Sequence, residues 1–316
     1  MMKYLWMGIW SAIFWLKKTF KKQLPPPVPE LARKATGPHE LAGEHEEEFR
    51  AEQAEIARLQ KAAEAGDIDA MVHLGIKYAS GKTLLADYLK AARWFRKAAD
   101  LGNGLGQVNL GICYANGQGV QKDFREAVKW FRLASEQGDE CAEVSLGICY
   151  QKGQGVTKDE EEAVKWFRKA AEKQYPQAQI SLASCYHQGL GVPQNEEEAV
   201  RWFMLAAQQG VGPAQYNVGN AYEYGAGVSP DLEQAAAWYS RAALKGVPQA
   251  QYKLGVCYRD GRGLRKDMIE AYKWLSLAAD QQHEEAHEEM EQLKFALSAE
   301  QIDEALQRKA VFQRFG

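Results

Sequence analysis

The sequence has little net charge. Its 316 residues include 39 basic and 42 acidic side chains, which gives a formal charge of −3. Proteins that bind nucleic acid usually have a basic surface, so this balance gives no support to a nucleic-acid partner. The charge is unevenly placed, because the first 22 residues carry five lysines and no acid. Since the whole chain sums to −3 and this segment to +5, the remainder sums to −8, a basic tip on an acidic body.

The sequence also has no long apolar run. The longest, YLWMGIWSAIFWL at residues 4–16, is shorter than the roughly 20 residues that cross a bilayer comfortably. Because lysines lie on both sides and can snorkel, a thinned crossing is feasible, and we predict that residues 1–22 are a membrane-anchor helix. Two alternatives stay open. One is a helix that lies in the membrane interface, and the other is a cleaved signal peptide, although KKTFKKQLPPP offers no small-residue cleavage site.

The segment after the anchor has the composition of a linker. QLPPPVPE favours a stiff, extended spacer, and the acidic stretch that follows favours disorder, so residues 23–43 are predicted to hold the rest of the chain clear of the lipid. If the anchor spans the membrane, the lysines that follow it predict a cytoplasmic location for the main body. If it is cleaved, the protein is periplasmic or secreted.

Six of the nine tryptophans recur at intervals of 36 residues. They are Trp94, Trp130, Trp166, Trp202, Trp238 and Trp274. A loop glycine, an alanine and a leucine-glycine pair recur with the same period. A fixed period of this length is the signature of a repeat architecture, and six units extend from residue 67 to residue 282.

Each unit has the pattern of two helices. In the second unit, Ala127, Trp130 and Phe131 follow the helical spacing of one apolar face. The preceding string NGQGVQKD supplies glycines that end the first helix, and Asp123 with Glu126 predicts a capping box that begins the second. The same box recurs at Asp159/Glu162, Asn195/Glu198, Asp231/Gln234 and Asp267/Glu270.

These units resemble the Sel-one-like repeat family, a branch of the tetratricopeptide-like solenoids. The resemblance rests on strings such as AQYKLGVCYRDGRGLRKDMIEAYKWLSLAA, and it covers about two-thirds of the chain. It implies an all-α fold, an α/α solenoid wound as a right-handed superhelix. It also implies an adaptor or scaffold for protein complexes and no catalytic activity.

Both flanks continue the 36-residue register. RLQKAAEAG at residues 58–66 matches WFRKAADLG at 94–102, so residues 44–66 are predicted to form an N-terminal capping helix. Residues 283–316 are predicted to form C-terminal capping helices, the last of which begins with a capping box at Ser298 and Gln301.

Two strings suggest enzymatic chemistry. HEEAH, with His283, Glu284 and His287, matches the zinc-hydrolase string, and Glu304 is its best third ligand. However, His287 occupies the position of Gln179, Gln215 and Gln251, which we interpret as a surface position. GKT at residues 81–83 lacks the spacing of a phosphate loop and aligns with the inter-helix loop of the next unit. We therefore predict no metal site, no cofactor and no small-molecule substrate.

The five cysteines are not spaced for disulfides. Cys113, Cys149, Cys185 and Cys257 share one repeat position. Equivalent positions in stacked helices lie roughly 10 Å apart, whereas a disulfide needs Cα atoms within about 7 Å. A cysteine-rich branch of the family pairs cysteines within each repeat, but here the partner position holds alanine or serine. Buried thiols are expected, in agreement with a reducing compartment.

The binding surface is predicted from the resemblance, which places the first helices on the concave face. The residues that follow each repeat tyrosine vary while the frame around them stays fixed, so they are available for recognition. The predicted protein-binding residues are Asn116, Gln151, Lys152, His187, Gln188, Glu223, Tyr224, Arg259 and Asp260. The predicted function is a non-catalytic, membrane-anchored scaffold that binds an extended peptide or a helix of a protein partner. The alternatives are a soluble periplasmic or secreted solenoid and a zinc hydrolase.

Overall fold

The computed structural model describes residues 38–81 and 86–315, and in these ranges it contains 15 α-helices and no β-strand. The helices are α1 (Pro38–Glu64), α2 (Ile68–Ser80), α3 (Tyr88–Asp100), α4 (Gly104–Asn116), α5 (Phe124–Glu136), α6 (Glu140–Lys152), α7 (Glu160–Glu172), α8 (Pro176–Gln188), α9 (Glu196–Gln208), α10 (Gly212–Tyr224), α11 (Leu232–Leu244), α12 (Pro248–Asp260), α13 (Met268–Ala279), α14 (Glu284–Lys294) and α15 (Ala299–Phe315). The all-α fold predicted from the repeat is confirmed.

The predicted membrane anchor at residues 1–22 lies outside the described residues. So does most of the GKT string, at residues 82 and 83. Among the helices of the described ranges, none combines the length and the apolar character that a bilayer crossing requires.

α1 begins earlier than the composition suggests. It starts at Pro38, inside the predicted linker, and the residues that follow are rich in the helix formers glutamate, alanine and leucine. Proline suits a first helical turn because its missing N–H has no acceptor there. At the other end of α1, Leu59 and Ala63 are buried in one cluster with Leu74 of α2, so this end covers the first repeat as a capping helix.

The chain divides into two compact units, residues 1–170 and 171–316. Within the described ranges, the N-terminal unit contains α1–α6 and most of α7, and the C-terminal unit contains α8–α15. In both units the core repeats with the sequence. In the N-terminal unit, for example, Phe95 of α3 and Leu110 of α4 share a buried cluster with Trp130 of α5.

The leucine-glycine pair, present in four of the six repeats, has a packing reason. A Cβ atom on Gly111 would lie 2.5 Å from the Phe131 ring, and one on Gly147 would lie 2.4 Å from the Phe167 ring. In these repeats the phenylalanine of the second helix therefore lies directly on the glycine of the first helix, and Tyr239 and Leu275 take the same place over Gly219 and Gly255. This contact brings the two helices close enough to bury the ring.

Half of the predicted capping box is present. The Asp123 side chain accepts hydrogen bonds from the N–H groups of Arg125 and Glu126, as an N-cap does. The return bond is not made, because the N–H of Asp123 donates to the carbonyl of Tyr114 at 3.0 Å. That bond ties each second helix to the end of the first. At Ser298 and Gln301 both bonds of the box are formed, at 2.9 and 3.3 Å.

A row of glutamines joins neighbouring helices, and here the expected surface position is wrong. Gln179, Gln215 and Gln251 are 1%, 6% and 2% exposed. The Nε2 of Gln215 donates to the carbonyl of Ala207, which lies in the last turn of α9. Carbonyls in the last turn of a helix lack N–H donors from their own helix, so a buried amide donor is favourable there. His287, at the corresponding position of α14, is exposed.

Lys245→Gln is expected to stabilise the protein by about 1 kcal/mol. Gln209 donates to Oε1 of Gln179 at 3.0 Å, and Gln281 donates in the same way to Gln251 at 2.8 Å. The equivalent donor position for Gln215 holds Lys245, and within the described structure Oε1 of Gln215 is buried without a hydrogen-bond partner. The check is the urea midpoint. Gln209→Lys is the reverse control and should lower it; an unchanged midpoint in both variants would contradict the assignment.

The cysteines form no disulfide, and all five lie in the described ranges. Cys113, Cys149, Cys185 and Cys257 are buried, as predicted, whereas Cys141 is exposed. Burial raises the pKa of Cys113 to about 12 and that of Cys149 to about 11. These thiols are therefore protonated at neutral pH and unreactive.

Candidate protein-binding face

The first helix of each repeat has one face that no neighbouring helix covers fully. In α4 this face contains Leu105, Ile112 and Asn116, whose spacing of seven and four residues places them on one side of the helix. We call the equivalent positions of all repeats the first-helix face. Its two central positions are occupied by His73 and Ile76, Asn109 and Ile112, Ser145 and Ile148, Ser181 and Ser184, Asn217 and Asn220, and Lys253 and Val256.

The frame around this face is constant while the face itself varies. The leucines next to it, such as Leu110 and Leu146, are fully buried in repeat after repeat. On the face, Ser181 and Ser184 only bond back to carbonyls of their own helix, at 3.0 and 2.9 Å. At Ser181 and Ser184, stacking of the helices therefore does not determine the side chain, whereas Asn220 accepts a hydrogen bond from the Tyr239 hydroxyl at 2.7 Å.

Five of the nine predicted binding residues lie at the C-terminal end of this face. They are Asn116, Lys152, Gln188, Tyr224 and Asp260, and each directly precedes the glycine that ends its helix in the left-handed conformation. Tyr224 is the most exposed large side chain among them, at 66%. The central positions of the face were missed, although counting back four and seven residues from Tyr224 reaches Asn220 and Asn217.

The other four predicted residues precede these by one position and turn about 100° away from the face. They are Gln151, His187, Glu223 and Arg259. Nδ1 of His187 lies 2.8 Å from a carboxylate oxygen of Glu196, in the first turn of the next helix. Gln151 is partly buried.

Glu223 is part of an internal polar cluster. Its side chain is only 6% exposed and accepts a hydrogen bond from the Tyr239 hydroxyl at 2.5 Å. Nζ of Lys253 lies 2.9 Å away and the Arg262 guanidinium 3.1 Å away on its other oxygen. Although burial acts to raise the pKa of Glu223, the donors outweigh it and hold the pKa below its usual value. Glu223 is therefore held inside the protein and presents little surface at the face.

Arg259 is also engaged within the protein. It forms a two-bond pair with Asp260, at 2.7 and 2.9 Å, and an ion pair with Glu289 of α14. Glu289 in turn accepts from the Tyr252 hydroxyl at 3.0 Å. Because Arg259 holds a capping helix in place, its replacement would lower stability, so it is unsuitable for testing binding alone.

The HEEAH string has a structural role. His283 is the N-cap of α14, in extended conformation, and its Nδ1 accepts from the N–H of Ala286 at 3.3 Å. Its ring stacks on Tyr252 with centroids 4.7 Å apart. His283 therefore precedes the helix on which His287 stands. In the part of the chain that the structure describes, no group of three or more histidine, cysteine or acidic side chains is placed to hold a metal ion.

We expect the stability of the protein to fall as the pH drops below about 6.5, because protonation of His283 removes the cap acceptor. Burial lowers the pKa of His283, while Glu285 and Glu289 act in the opposite direction. A histidine whose folded pKa is depressed stabilises the protein above its unfolded pKa and loses that contribution as the pH falls towards the folded value. The urea midpoint should therefore decrease from pH 7.5 to pH 5.5.

The control is His283→Asn, since asparagine caps the equivalent helix at Asn103. This variant keeps an N-cap that does not titrate, so its decrease over the same pH range should be smaller. An equal decrease in both proteins would show that His283 does not contribute.

The chain matches a family model described as Sel1 repeat in six segments, residues 68–103, 104–139, 142–175, 176–211, 212–247 and 248–283. The chain belongs to the Sel1 repeat family. Sel1 repeat proteins are typically protein-interaction scaffolds and are generally non-catalytic. No curated protein matches the chain significantly.

Solved structures of Sel1 repeat proteins are similar to this chain. One, from Oxalobacter formigenes, is 34% identical with a TM-score of 0.69, and the match covers 74% of this chain and 68% of that one. Another, from Klebsiella pneumoniae, is 25% identical with a TM-score of 0.46, over 63% of this chain and 97% of that one. The six segments of the family model follow the helix pairs of the structure.

Proposed function

We propose that the protein is a non-catalytic scaffold that binds a protein partner through the first-helix face. The observation that carries the proposal is the contrast between buried positions that stay apolar in every repeat, such as those of Leu146 and Leu182, and the differing side chains beside them on the face. Tyr224 is the strongest single candidate for a contact, because it is exposed and aromatic residues are enriched at interface hot spots.

The orientation of Tyr224 is fixed by its neighbours. Nζ of Lys253 donates to the Tyr224 hydroxyl at 2.7 Å and lies 5.1 Å from the ring centroid. Lys253 is itself held by the buried carboxylate of Glu223. A side chain that is already ordered loses little entropy on binding, which favours affinity.

The test is site-specific photo-crosslinking in the native cell. A photoreactive amino acid replaces Asn217, on the first-helix face of α10, or Ala237, an exposed residue on the second helix of the same repeat. Adducts with another protein are expected from position 217 and not from position 237. Adducts from position 237 alone would place the binding surface on the second helices and refute the proposal.

Tyr224→Ala should then reduce the yield of the adduct from position 217 at least tenfold, as expected for a hot-spot residue. Leu232→Ala is the matched control, because Leu232 is also an exposed large side chain, at 40%, but lies at the start of the second helix. An equal reduction in both variants would point to a general effect on the protein.

We further propose that residues 1–22 anchor the protein to a membrane with the solenoid on the cytoplasmic side. The support is the sequence alone, namely the apolar run at residues 4–16 and the four lysines that follow it. The intact mass of the protein from the membrane fraction tests this proposal. Loss of about the first 20 residues would show a cleaved signal peptide, and recovery of a full-length chain in the soluble fraction would refute the anchor.

A further inference from the structure

The first-helix face of the N-terminal unit carries an apolar row. Ile76, Ile112 and Ile148 stand at the same position of three successive repeats and are partly exposed. In the C-terminal unit, two equivalent positions hold Ser184 and Asn220, in helices with the same frame. Asn220 accepts a hydrogen bond from Tyr239, but Ser184 bonds to the Ile180 carbonyl of its own helix, so the fold alone does not require an isoleucine here.

Other apolar surface borders this row. Leu105, seven residues before Ile112 on the same face of α4, is 50% exposed. Cys141, at the equivalent position of α6, is also exposed. Ile112 packs with its inner side against the cluster that contains Val108 and Leu146, so its position is fixed and only its outer side is accessible. The result is a rigid strip of apolar groups across three helices.

The strip ends at a lysine that has no carboxylate near it. Lys152 lies one turn after Ile148 on the same face and is partly buried. Burial lowers its pKa, and the described residues place no Asp or Glu oxygen within ion-pair distance of its ammonium group. Lys253, at the central position of the face in α12, has such a partner in Glu223. A buried ammonium group gains most from an opposite charge, so the position favours an acidic ligand.

The spacing of the strip identifies the ligand. Ile76 of α2 packs against a cluster that contains Leu110 of α4, and Ile112 of α4 packs against one that contains Leu146 of α6, so successive first helices are neighbours. Packed helices lie roughly 8–10 Å apart, so we expect the three isoleucines to repeat at about that distance. Two residues seven apart on an α-helix are separated by about 10.5 Å along its axis and lie on nearly the same side. A helix laid across α2, α4 and α6 therefore places every seventh side chain over one isoleucine.

We infer that the first-helix face of the N-terminal unit binds an amphipathic α-helix of a partner protein, with apolar residues seven apart over Ile76, Ile112 and Ile148 and a carboxylate against Lys152. This inference rests on the proposed function and narrows it, because it selects a helix over an extended peptide and assigns it to one unit.

The experiment is fluorescence anisotropy with the purified full-length protein and labelled 21-residue peptides. The first probe is a helix-forming peptide with leucines at three positions seven apart and a glutamate one turn beyond the last. The second has the same composition in scrambled order, and the third carries a central proline that breaks the helix. We expect the first probe to bind at least tenfold more tightly than either of the others.

Variants locate the site. Ile112→Asn, which introduces the residue found at position 220, should weaken binding of the first probe at least tenfold. Val256→Asn is the matched control in the C-terminal unit and should leave binding unchanged. Lys152→Gln should weaken binding severalfold, and this loss should disappear when the glutamate of the peptide is replaced by glutamine.

Three results would overturn the inference. If the scrambled probe binds as tightly as the first probe, the spacing of the apolar residues does not matter. If the proline probe binds as tightly as the first probe, the ligand is an extended peptide and not a helix. If no peptide binds but phosphatidylglycerol vesicles do, and Ile112→Asn abolishes the binding of vesicles, the strip is a lipid contact. The crosslinking at position 217 is independent of these results, so the proposed function stands or fails separately.

Discussion

Gly227→Ala is expected to destabilise the protein by about 3 kcal/mol. Gly227 is the second glycine of its loop, with φ at +71°, and a Cβ atom there would lie 2.3 Å from the carbonyl oxygen of Glu196. Alanine in this left-handed conformation costs about 1–2 kcal/mol, and overlap with a backbone atom adds roughly 1–3 kcal/mol. Because Glu196 begins a helix of the preceding repeat, the overlap cannot be relieved by rotation of a side chain.

Gly246→Ala is the matched control for this prediction. Gly246 belongs to the same repeat and has φ at +75°, but a Cβ atom there would meet nothing within 4 Å. It should show only the conformational cost of about 1–2 kcal/mol. Urea unfolding of both variants measures the difference. Equal losses would mean that the loop moves away from the helix and that the close approach does not hold the repeats together.

The period, the helix pairs and the loop glycines were all predictable from the sequence, because each depends on short-range spacing that recurs six times. Apolar residues three and four apart require a helix face, and a glycine after the last turn requires a left-handed residue. Gly117, Gly153 and Gly189 all adopt that conformation. Repetition made these signals stronger than in a single helix.

The buried glutamines were not predictable from polarity. The polarity of the Gln179 side chain, considered alone, predicts a surface position. The structure buries it because Ala171, in the last turn of α7, has a carbonyl that this amide can reach, at 3.4 Å. The carbonyl that requires a donor lies at the end of another helix, eight residues earlier. The pattern of polar and apolar residues within α8 therefore does not reveal that Gln179 is buried.

The candidate face was located only in part, for a geometric reason. Both residues after each tyrosine were selected because they vary, yet successive residues on a helix differ in direction by about 100°. Tyr224 therefore lies on the face, whereas Glu223 turns towards Tyr239 and is buried. A position that varies between repeats is free of the packing within the repeat only if no contacting residue varies together with it. Here Tyr239 replaces the phenylalanine of earlier repeats, such as Phe203, and requires an acceptor.

Phe167→Ala is expected to cost about 3–5 kcal/mol, the range found for buried aromatic truncations. Phe167 is 1% exposed, and its ring lies on Gly147, where it fills the space between the two helices of the repeat. Trp166, the periodic tryptophan beside it, is only partly buried. Although tryptophan is the larger side chain, Trp166→Ala should therefore cost less, since part of its surface already contacts water.

The two variants can be compared directly by urea unfolding, because the residues are neighbours in one helix and alanine preserves that helix in both. Leu133→Ala, in the second helix of the preceding repeat and 36% exposed, provides the baseline for a surface truncation and should change stability by less than about 1 kcal/mol. A larger loss for Trp166→Ala than for Phe167→Ala would show that the tryptophans, whose spacing reveals the repeat, also contribute the larger part of its core. The structure assigns that part to the phenylalanine position, because the ring there is enclosed by both helices of its own repeat.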